Sequence, residues 1–422
     1  MKQVQYTLPD NWTWKTLDDV SEKITDGTHH SPKVQHSEWA PGRFKYITSK
    51  NIKNNGMKLD DISYIDQNIH DEIYARCPPE IEDQLLTKDG AMTGTCCLNE
   101  LNEPFSLLSS VALIKQNRSI IQPKYLNYYL QSHVGQNFLL GDISGSAITR
   151  TNIKKLKSTP VPLAPFSEQK RIVEKLDALL TRIDTAIEYL HESVTLADTM
   201  FSSALNMAFN PSGSQVYSGS DYALPDDWRW LTVHDLSINI QYGHTAKAAE
   251  KGNAQFLRIT DIQNNNIDWS GVPFVDLSEK EVEKYALAEN DLVFARSGAT
   301  AGKSILIKKP PKNAIFASYL IRIVPNVKVI VPEYLELFFM SPSYWSVVKE
   351  NATGAAQPNI NGTKLGAFKV PTPTLDAQNK IVDEMSSLSA LVTDLKRDLR
   401  KKIYFFESAK SSILDSAFKG DL

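Results

Sequence analysis

The sequence predicts an α+β protein built twice: two similar mixed domains, each followed by one long helix. The two helices are expected to pair as an antiparallel coiled coil about a pseudo-twofold axis. Three observations predict this. The chain repeats itself at a nearly constant offset. Each repeat opens with short apolar runs broken by Gly, Pro, Asn and Asp. Each closes on an apolar stripe in alternating three- and four-residue steps, sustained over about five heptads.

The repeat is read from many separate matches. LPDNWTWKTLDDV from Leu8 returns as LPDDWRWLTVHDL from Leu224, and FKYIT from Phe44 as FLRIT from Phe256. DQLLTKDGAMTG from Asp83 returns as DLVFARSGATAG from Asp291, an offset of 208. An offset of 209 then holds at Gly145/Gly354, Asn152/Asn361, Leu156/Leu365, Val161/Val370, Gln169/Gln378 and Phe209/Phe418. One register shared by so many matches is a tandem duplication.

Within each copy, Ile47-Thr48, Gln84 to Thr87, Ser110 to Lys115, Leu292 to Ala295 and Tyr319 to Val324 read as strands. Lys124 to Gln131 and Glu333 to Met340 read as helices, each following a proline suited to a helix start. Pro-punctuated exits, STPVPLAPF and KVPTPTL, cannot be helix interior. Ser167 and Asp376 are then predicted as N-caps of the long helices, because their oxygens can accept from free backbone N–H groups. The stripe runs from Ile172 to Leu205 in the first and from Ile381 to Ala417 in the second. A helix of roughly 40 residues is about 60 Å long and overhangs a domain of this size, so its stripe needs a partner. Gly420 is a plausible stop for the second helix, and Asn210-Pro211 followed by SGSQVYSGS is a polar linker after the first. The expected boundaries are a domain over 1–165, a long helix over 166–210, a linker over 211–223, a second domain over 224–374 and a second long helix over 375–422.

Composition bounds the function. A chain of 422 residues, 42% hydrophobic and 23% charged, is ordinary for a globular protein. There is no apolar run long enough for a membrane span, and MKQVQYTLPDNW lacks a signal-peptide core. Three cysteines (Cys77, Cys96, Cys97) make no disulfide framework and fit a reducing cytoplasm. The formal charge of -3 means that a nucleic-acid binder of this kind must segregate its charges or borrow positive field from a partner.

Catalytic signatures are not found. GATAGKS from Gly298 has three residues between its glycines, one fewer than a phosphate-binding loop requires, and reads as a turn between strands. His29 and His30 have no further ligands at metal spacing; a solvated loop and a loop touching base or phosphate both remain open for them. Gly-x-Ser-x-Gly and the Asn/Asp-Pro-Pro-Tyr/Phe motif of amino-methyltransferases are missing. The expectation is no catalytic residue, no metal and no cofactor in this chain.

Two similar domains on rigid helices suit a ligand with two separated recognition points, and double-stranded DNA is one. Thr48, Ser49, Lys50, Asn51 and Lys53 follow a strand end. The loop ending at Thr149, Arg150, Thr151 and Asn152, with Lys154 behind it, mixes hydroxyls, guanidinium and amide. Its partner holds Gln357, Asn359 and Asn361, with Lys364 behind. Lys88, Arg258, Arg296 and Lys303 add cations at repeat-related turns. Arginine can fork to guanine and Gln or Asn to adenine, while lysines hold phosphates. The frame of the two loops is shared while residues 148–151 and 357–360 differ, as two domains reading two different half-sequences would. Capping of the short helix that follows is the alternative role for either loop.

With the paired LPxxWxW openings, DGTHHSP, the two D-x-L hairpins, the loops before VP(L/T)P and EQKRIV opening a long helix, the chain resembles the specificity (S) subunits of type I restriction-modification enzymes. The resemblance covers both halves. It implies two target-recognition domains joined by helices in an antiparallel coiled coil, each domain reading one part of a split DNA site. It also implies two methyltransferase (M) subunits alongside and restriction (R) subunits for cleavage. S-adenosylmethionine, ATP and Mg would be used by those partners. In the second half Asp376-Ala377-Gln378 stands where the family has Leu-x-Glu-Gln. The rival readings are a stand-alone bipartite DNA-binding protein and a non-specific coiled-coil scaffold.

Overall fold

A computed structural model describes residues 6–141, 150–211, 213, 222–263, 266–297, 301–352 and 360–422. The chain forms two compact units, Met1–His191 with Arg400–Leu422, and Glu192–Leu399. The division falls inside the long helices, so each unit owns a domain, the start of one long helix and the end of the other.

In the first unit a four-stranded antiparallel sheet has the order Ser21–Asp26, Val111–Gln116, Gln84–Thr87, Cys96–Leu98. A second sheet places Arg43–Ile47 between antiparallel Ser63–Asp66 and parallel Phe105–Leu107. Thr13–Thr16 pairs with Pro160–Leu163, closing the domain's entry on its exit. The second unit repeats every pairing: Ser237–Tyr242, Leu320–Pro325, Leu292–Ala295, Ser304–Leu306; then Phe274–Val275, Ala254–Leu257, Ala314–Phe316; then Arg229–Thr232 with Lys369–Thr372. The central strands are buried along their length, as Val111–Gln116 and Leu292–Ala295 show, which explains their unbroken apolar runs.

The helices predicted after proline are Pro123–Gln131 and Pro332–Met340. The long helices are Phe166–Phe209 and Leu375–Lys419. They start one residue before the predicted caps. Pro165 O accepts from the Glu168 and Gln169 amides at 2.8 and 3.0 Å, and Thr374 O from the Gln378 amide at 2.9 Å. Ser167 and Asp376 therefore sit inside the first turn: the Pro165 carbonyl opens the first helix, and Thr374 opens the second through its carbonyl and its Oγ1, which accepts from the Ala377 amide at 3.4 Å. The second helix stops at Gly420, whose φ of +86° is the left-handed conformation glycine adopts freely.

Each domain buries the tip of a long helix. In the first unit Phe418 packs edge-on against Tyr125 and Tyr129, ring centroids 5.2 and 5.3 Å away. In the second Phe209 meets Tyr334 and Phe338 at 5.0 and 5.5 Å. In the first unit the helices run antiparallel: Asp184 pairs with Lys410 at 2.7 Å, while Arg171, thirteen residues earlier, donates to the carbonyl of Leu422 at 2.8 Å. In the second unit Lys396 pairs with Asp198 at 2.5 Å.

The EQKRIV glutamine is fully buried and acts as a clasp. Gln169 Oε1 accepts from the Gln122 amide at 2.9 Å, and its Nε2 donates to Ile120 O and Ala164 O at 3.0 and 2.9 Å. Gln378 does the same for the Val331 amide and the carbonyls of Val329 and Pro373. The unusual Asp376-Ala377 leaves this clasp intact.

Candidate nucleic-acid interface

In the first domain the interface is built where the strand Ser21–Asp26 ends and the chain turns through Gly27. A Cβ there would lie 1.8 Å from Leu107 O, so only glycine lets the two segments touch. This puts Asp26 beside Lys88, whose ammonium lies 2.9 Å from Asp89 Oδ2 and 3.5 Å from Asp26 Oδ2. Lys88 is only 4% exposed, so it is a buried, paired cation and not a free surface contact. Its carbonyl accepts from the Thr151 amide at 2.9 Å, which ties the 150–152 loop to the cluster. Arg150 Nε then lies 2.6 Å from Asp89 Oδ1, with the Arg150 side chain 70% exposed. Asp26 Oδ1 also faces His29 Nε2 at 3.4 Å and Arg76 Nη2 at 3.5 Å. Asp26, His29, Lys88 and Arg150 line a hollow of about 520 Å³, and Asp89 and Arg76 pair into the same charged cluster. A charged network of this kind is strong where it is shielded from water and leaves the exposed Arg150 able to accept a new partner.

The Thr48–Asn51 turn adjoins this cluster through Ser110. Ser110 Oγ accepts from the Ser49 amide at 3.3 Å, and Ser110 O from the Lys88 amide at 2.8 Å. Within the turn the predicted residues divide. Asn51 is buried and braces its own loop, its amide donating to Lys58 O and Asp61 O at 3.0 and 3.2 Å; it is not a free donor. Lys50 is exposed, 2.9 Å from Asp61. Lys53 lies in the short strand Ile52–Lys53. Asn152 caps the helix Ile153–Lys157 by accepting from the Lys155 amide at 2.9 Å. Lys154 is exposed on that helix, Thr151 is buried, and His30 is exposed. Thr149 lies outside the described residues.

The second domain uses the same backbone frame with different side chains. Gly243 again approaches a carbonyl, that of Ala317, 2.2 Å from where a Cβ would stand. Arg296 occupies the place of Lys88, and its carbonyl accepts from the Ile360 amide at 2.8 Å. Tyr242 occupies the place of Asp26, so the cation faces a ring: the guanidinium carbon is 5.2 Å from the ring centroid, a cation–π contact. The Tyr242 hydroxyl accepts from the Gly362 amide at 2.7 Å. Arg258 is held in a two-pronged pair with Asp261, at 3.1 and 2.7 Å, so it braces its own turn. Asn361 caps the helix Gly362–Gly366 by accepting from the Lys364 amide at 2.8 Å; Lys364 is exposed. Lys303 is exposed at a turn that leads into the strand Ser304–Leu306. The described end of the phosphate-loop lookalike thus enters a strand that pairs antiparallel with Leu292–Ala295, and not the helix N-terminus that binds phosphate. Gln357 and Asn359 lie outside the described residues. Sequence reading overlooked Asp26, Asp89, Arg76, Tyr242 and Tyr319. Asp89 follows Lys88 directly and Asp26 precedes the quoted Gly-Thr-His-His, but only alignment of the repeat relates Tyr242 and Tyr319 to them.

The profile of the type I restriction modification DNA specificity domain matches residues 9–191 and again 225–404. The chain belongs to this family. It is a DNA sequence-recognition subunit of a type I system, carrying two specificity domains in tandem. It is 22% identical to the type I restriction enzyme EcoKI specificity subunit of Escherichia coli K12 over 424 residues, covering 98% of this chain and 90% of the relative. The MjaVIII specificity subunit of Methanocaldococcus jannaschii is 23% identical over 427 residues, 98% of this chain and 94% of that one. Among solved structures, one described as the structural basis of complex assembly and conformational transition of the type I R-M system matches with a TM-score of 0.75 at 18% identity, over 99% and 100% of the two chains. The HsdS subunit from Thermoanaerobacter tengcongensis matches with a TM-score of 0.54 at 19% identity, over the full length of both chains. These likenesses speak for the fold. In this specificity subunit the Lys88 and Arg296 loops therefore lie at equivalent places in the two family domains.

Proposed function

We propose that each domain reads one half of a bipartite double-stranded DNA site, and that the chain delivers that choice to partner subunits without doing chemistry itself. Two M subunits would bind alongside and methylate adenine with S-adenosylmethionine. R subunits would use ATP and Mg for cleavage. A cytoplasmic complex of this kind accounts for the chain's own formal charge of -3: partners that surround the duplex supply non-specific attraction, and this chain is basic only where it reads. His29, Lys50, Arg150 and Lys154 are the proposed contacts of the first domain, and Arg296, Lys303 and Lys364 those of the second.

The observation that carries this reading is one backbone frame holding different side chains at the same loops. Lys88, Asp26 and Ser110 in one domain become Arg296, Tyr242 and Tyr319 in the other. A duplicated scaffold whose side chains diverge within one conserved loop frame is suited to reading two unlike sequences. The test is to exchange residues 8–160 for the matching part of another S subunit and determine the methylated motif of cells carrying the hybrid with its M subunits. One half of the motif is expected to change and the other to stay. A change of the whole motif, or of neither half, overturns independent reading.

A further inference from the structure

The second domain holds an aromatic surface where the first holds charge. Tyr319 stands at the tip of the tight turn between strands Ala314–Phe316 and Leu320–Pro325, a turn closed by the Leu320 amide on Ala317 O at 2.9 Å. It is 64% exposed. Its carbonyl accepts from the Arg296 amide at 3.1 Å, so the ring is anchored by its backbone to the cation that faces Tyr242. Tyr242 is itself 42% exposed. Its hydroxyl accepts from the Gly362 amide and its ring carries the Arg296 guanidinium, so Tyr242 holds the cation in place and Tyr319 is the ring left to a ligand. The equivalent turn of the first domain carries Ser110, beside Lys88, Asp26 and Asp89. Exposing the Tyr319 ring at the tip of a turn on a polar loop surface costs hydrophobic free energy that a ligand with an apolar feature recovers.

Resting on the two-half-site reading, we propose that Tyr319 is a specificity-determining residue. Held by its carbonyl on the Arg296 amide, it packs its exposed ring against the C5-methyl group of a thymine in the major groove of the second half-site. Thymine alone among the DNA bases presents an apolar group there. Arg296 supplies a neighbouring cation, and the ring supplies the discrimination. The first domain, with Arg150 and its two carboxylates at the equivalent place, reads by polar contacts.

The test uses the whole chain in complex with its M subunits, on the duplex motif established from the methylome. Each thymine of the second half-site is replaced in turn by uracil, which removes the methyl and leaves base pairing unchanged. One replacement is expected to weaken binding by about tenfold, the effect of one methyl in an apolar contact. Tyr319→Ala should weaken binding to the thymine duplex by a similar factor and bind thymine and uracil duplexes alike. Tyr319→Phe should retain the preference, since the hydroxyl plays no part. A half-site without thymine, no uracil effect at any position, or a uracil effect that survives in Tyr319→Ala overturns the proposal. So does a loss in Tyr319→Phe equal to that in Tyr319→Ala, which would make the residue a hydroxyl donor to phosphate. Failure of the two-half-site reading looks different: no split motif is found for the complex, and the uracil series cannot be designed.

Discussion

In the first domain the Tyr125 hydroxyl donates to Pro162 O at 2.8 Å; in the second, Tyr334 donates to Pro371 O at 2.6 Å. Tyr6 donates to the carbonyl of Phe418, and Tyr222 to that of Phe209. Asp19 accepts from the Thr16 amide at 2.8 Å, and Asp235 from the Thr232 amide at 3.0 Å. Around the hollow of the first domain and at its counterpart in the second, three side chains part company: Asp26 meets Tyr242, Lys88 meets Arg296, Ser110 meets Tyr319. What is kept there is the frame: the backbone bonds of Thr151 to Lys88 and Ile360 to Arg296, and the helix caps of Asn152 and Asn361. Repetition is retained where a long helix must dock, because a buried polar or aromatic group has few alternatives. It lapses at the loops that we propose face DNA.

That comparison is sharpest at the docked helix tips. Phe418→Ala and Phe209→Ala each remove a fully buried ring and are expected to destabilise by about 3–5 kcal/mol, read by chemical denaturation. The two losses should match. A large loss in one and a small one in the other would break the equivalence of the frames.

Next come the clasps. Gln169→Leu or Gln378→Leu leaves one buried amide and two carbonyls without their side-chain partner. Each is expected to destabilise by about 2–3 kcal/mol, since an unsatisfied buried group costs roughly 1–3 kcal/mol. Matched shifts in denaturation midpoint support equivalence. A cost at Gln169 alone would show that Asp376-Ala377 had weakened the second clasp.

The frame was legible in the sequence, since offset and heptad period are properties of spacing. Strands Gln84–Thr87 and Leu292–Ala295 fall where their apolar runs place them. The interface was legible only in part. Its cluster is assembled from Asp26, Arg76, Lys88-Asp89 and Arg150, four separate segments that no local period links. Asn51 reads as a surface amide because it follows a strand end, yet a 3-10 turn rotates it inward. The helix starts were displaced for two reasons: at the first, Pro165 accepts through its backbone carbonyl; at the second, the capping side chain is Thr374, two residues before Asp376, whose Oγ1 accepts from the Ala377 amide at 3.4 Å.

Arg150→Ala tests the ligand-facing side of the comparison. It should cost about 1–3 kcal/mol of discrimination at one position of the first half-site and leave the second half-site untouched, measured as relative methylation across half-site variants. A uniform loss over all sequences would assign Arg150 to phosphate. Loss of discrimination in the second half-site would end the claim that the domains read separately.

The smallest expected effect separates the domains by pH. His70 is buried in the helix Gln67–Arg76, stacked on Phe44 at a centroid distance of 3.8 Å, with Nδ1 2.9 Å from Ser106 Oγ. Burial holds its pKa below the ordinary value of 6.5, with Asp71 opposing only in part. The helix of the second domain, Glu279–Tyr285, buries Val282 instead. A histidine depressed in the folded state binds fewer protons than in the unfolded chain as pH falls through 6.5. His70 therefore contributes stability above that range and loses it on acidification. Thermal unfolding of the full chain, followed between about pH 7.5 and pH 5.5 across the ordinary histidine range, should show a melting temperature that falls with acid. In His70→Val the slope should be shallower, whatever the change in absolute stability. Because the His70 packing is confined to the first domain, hydrogen exchange at pH 5.5, again about one unit below that range, should rise there and not around Val282. Equal acid sensitivity of wild type and variant would show that other groups set the pH response of this domain.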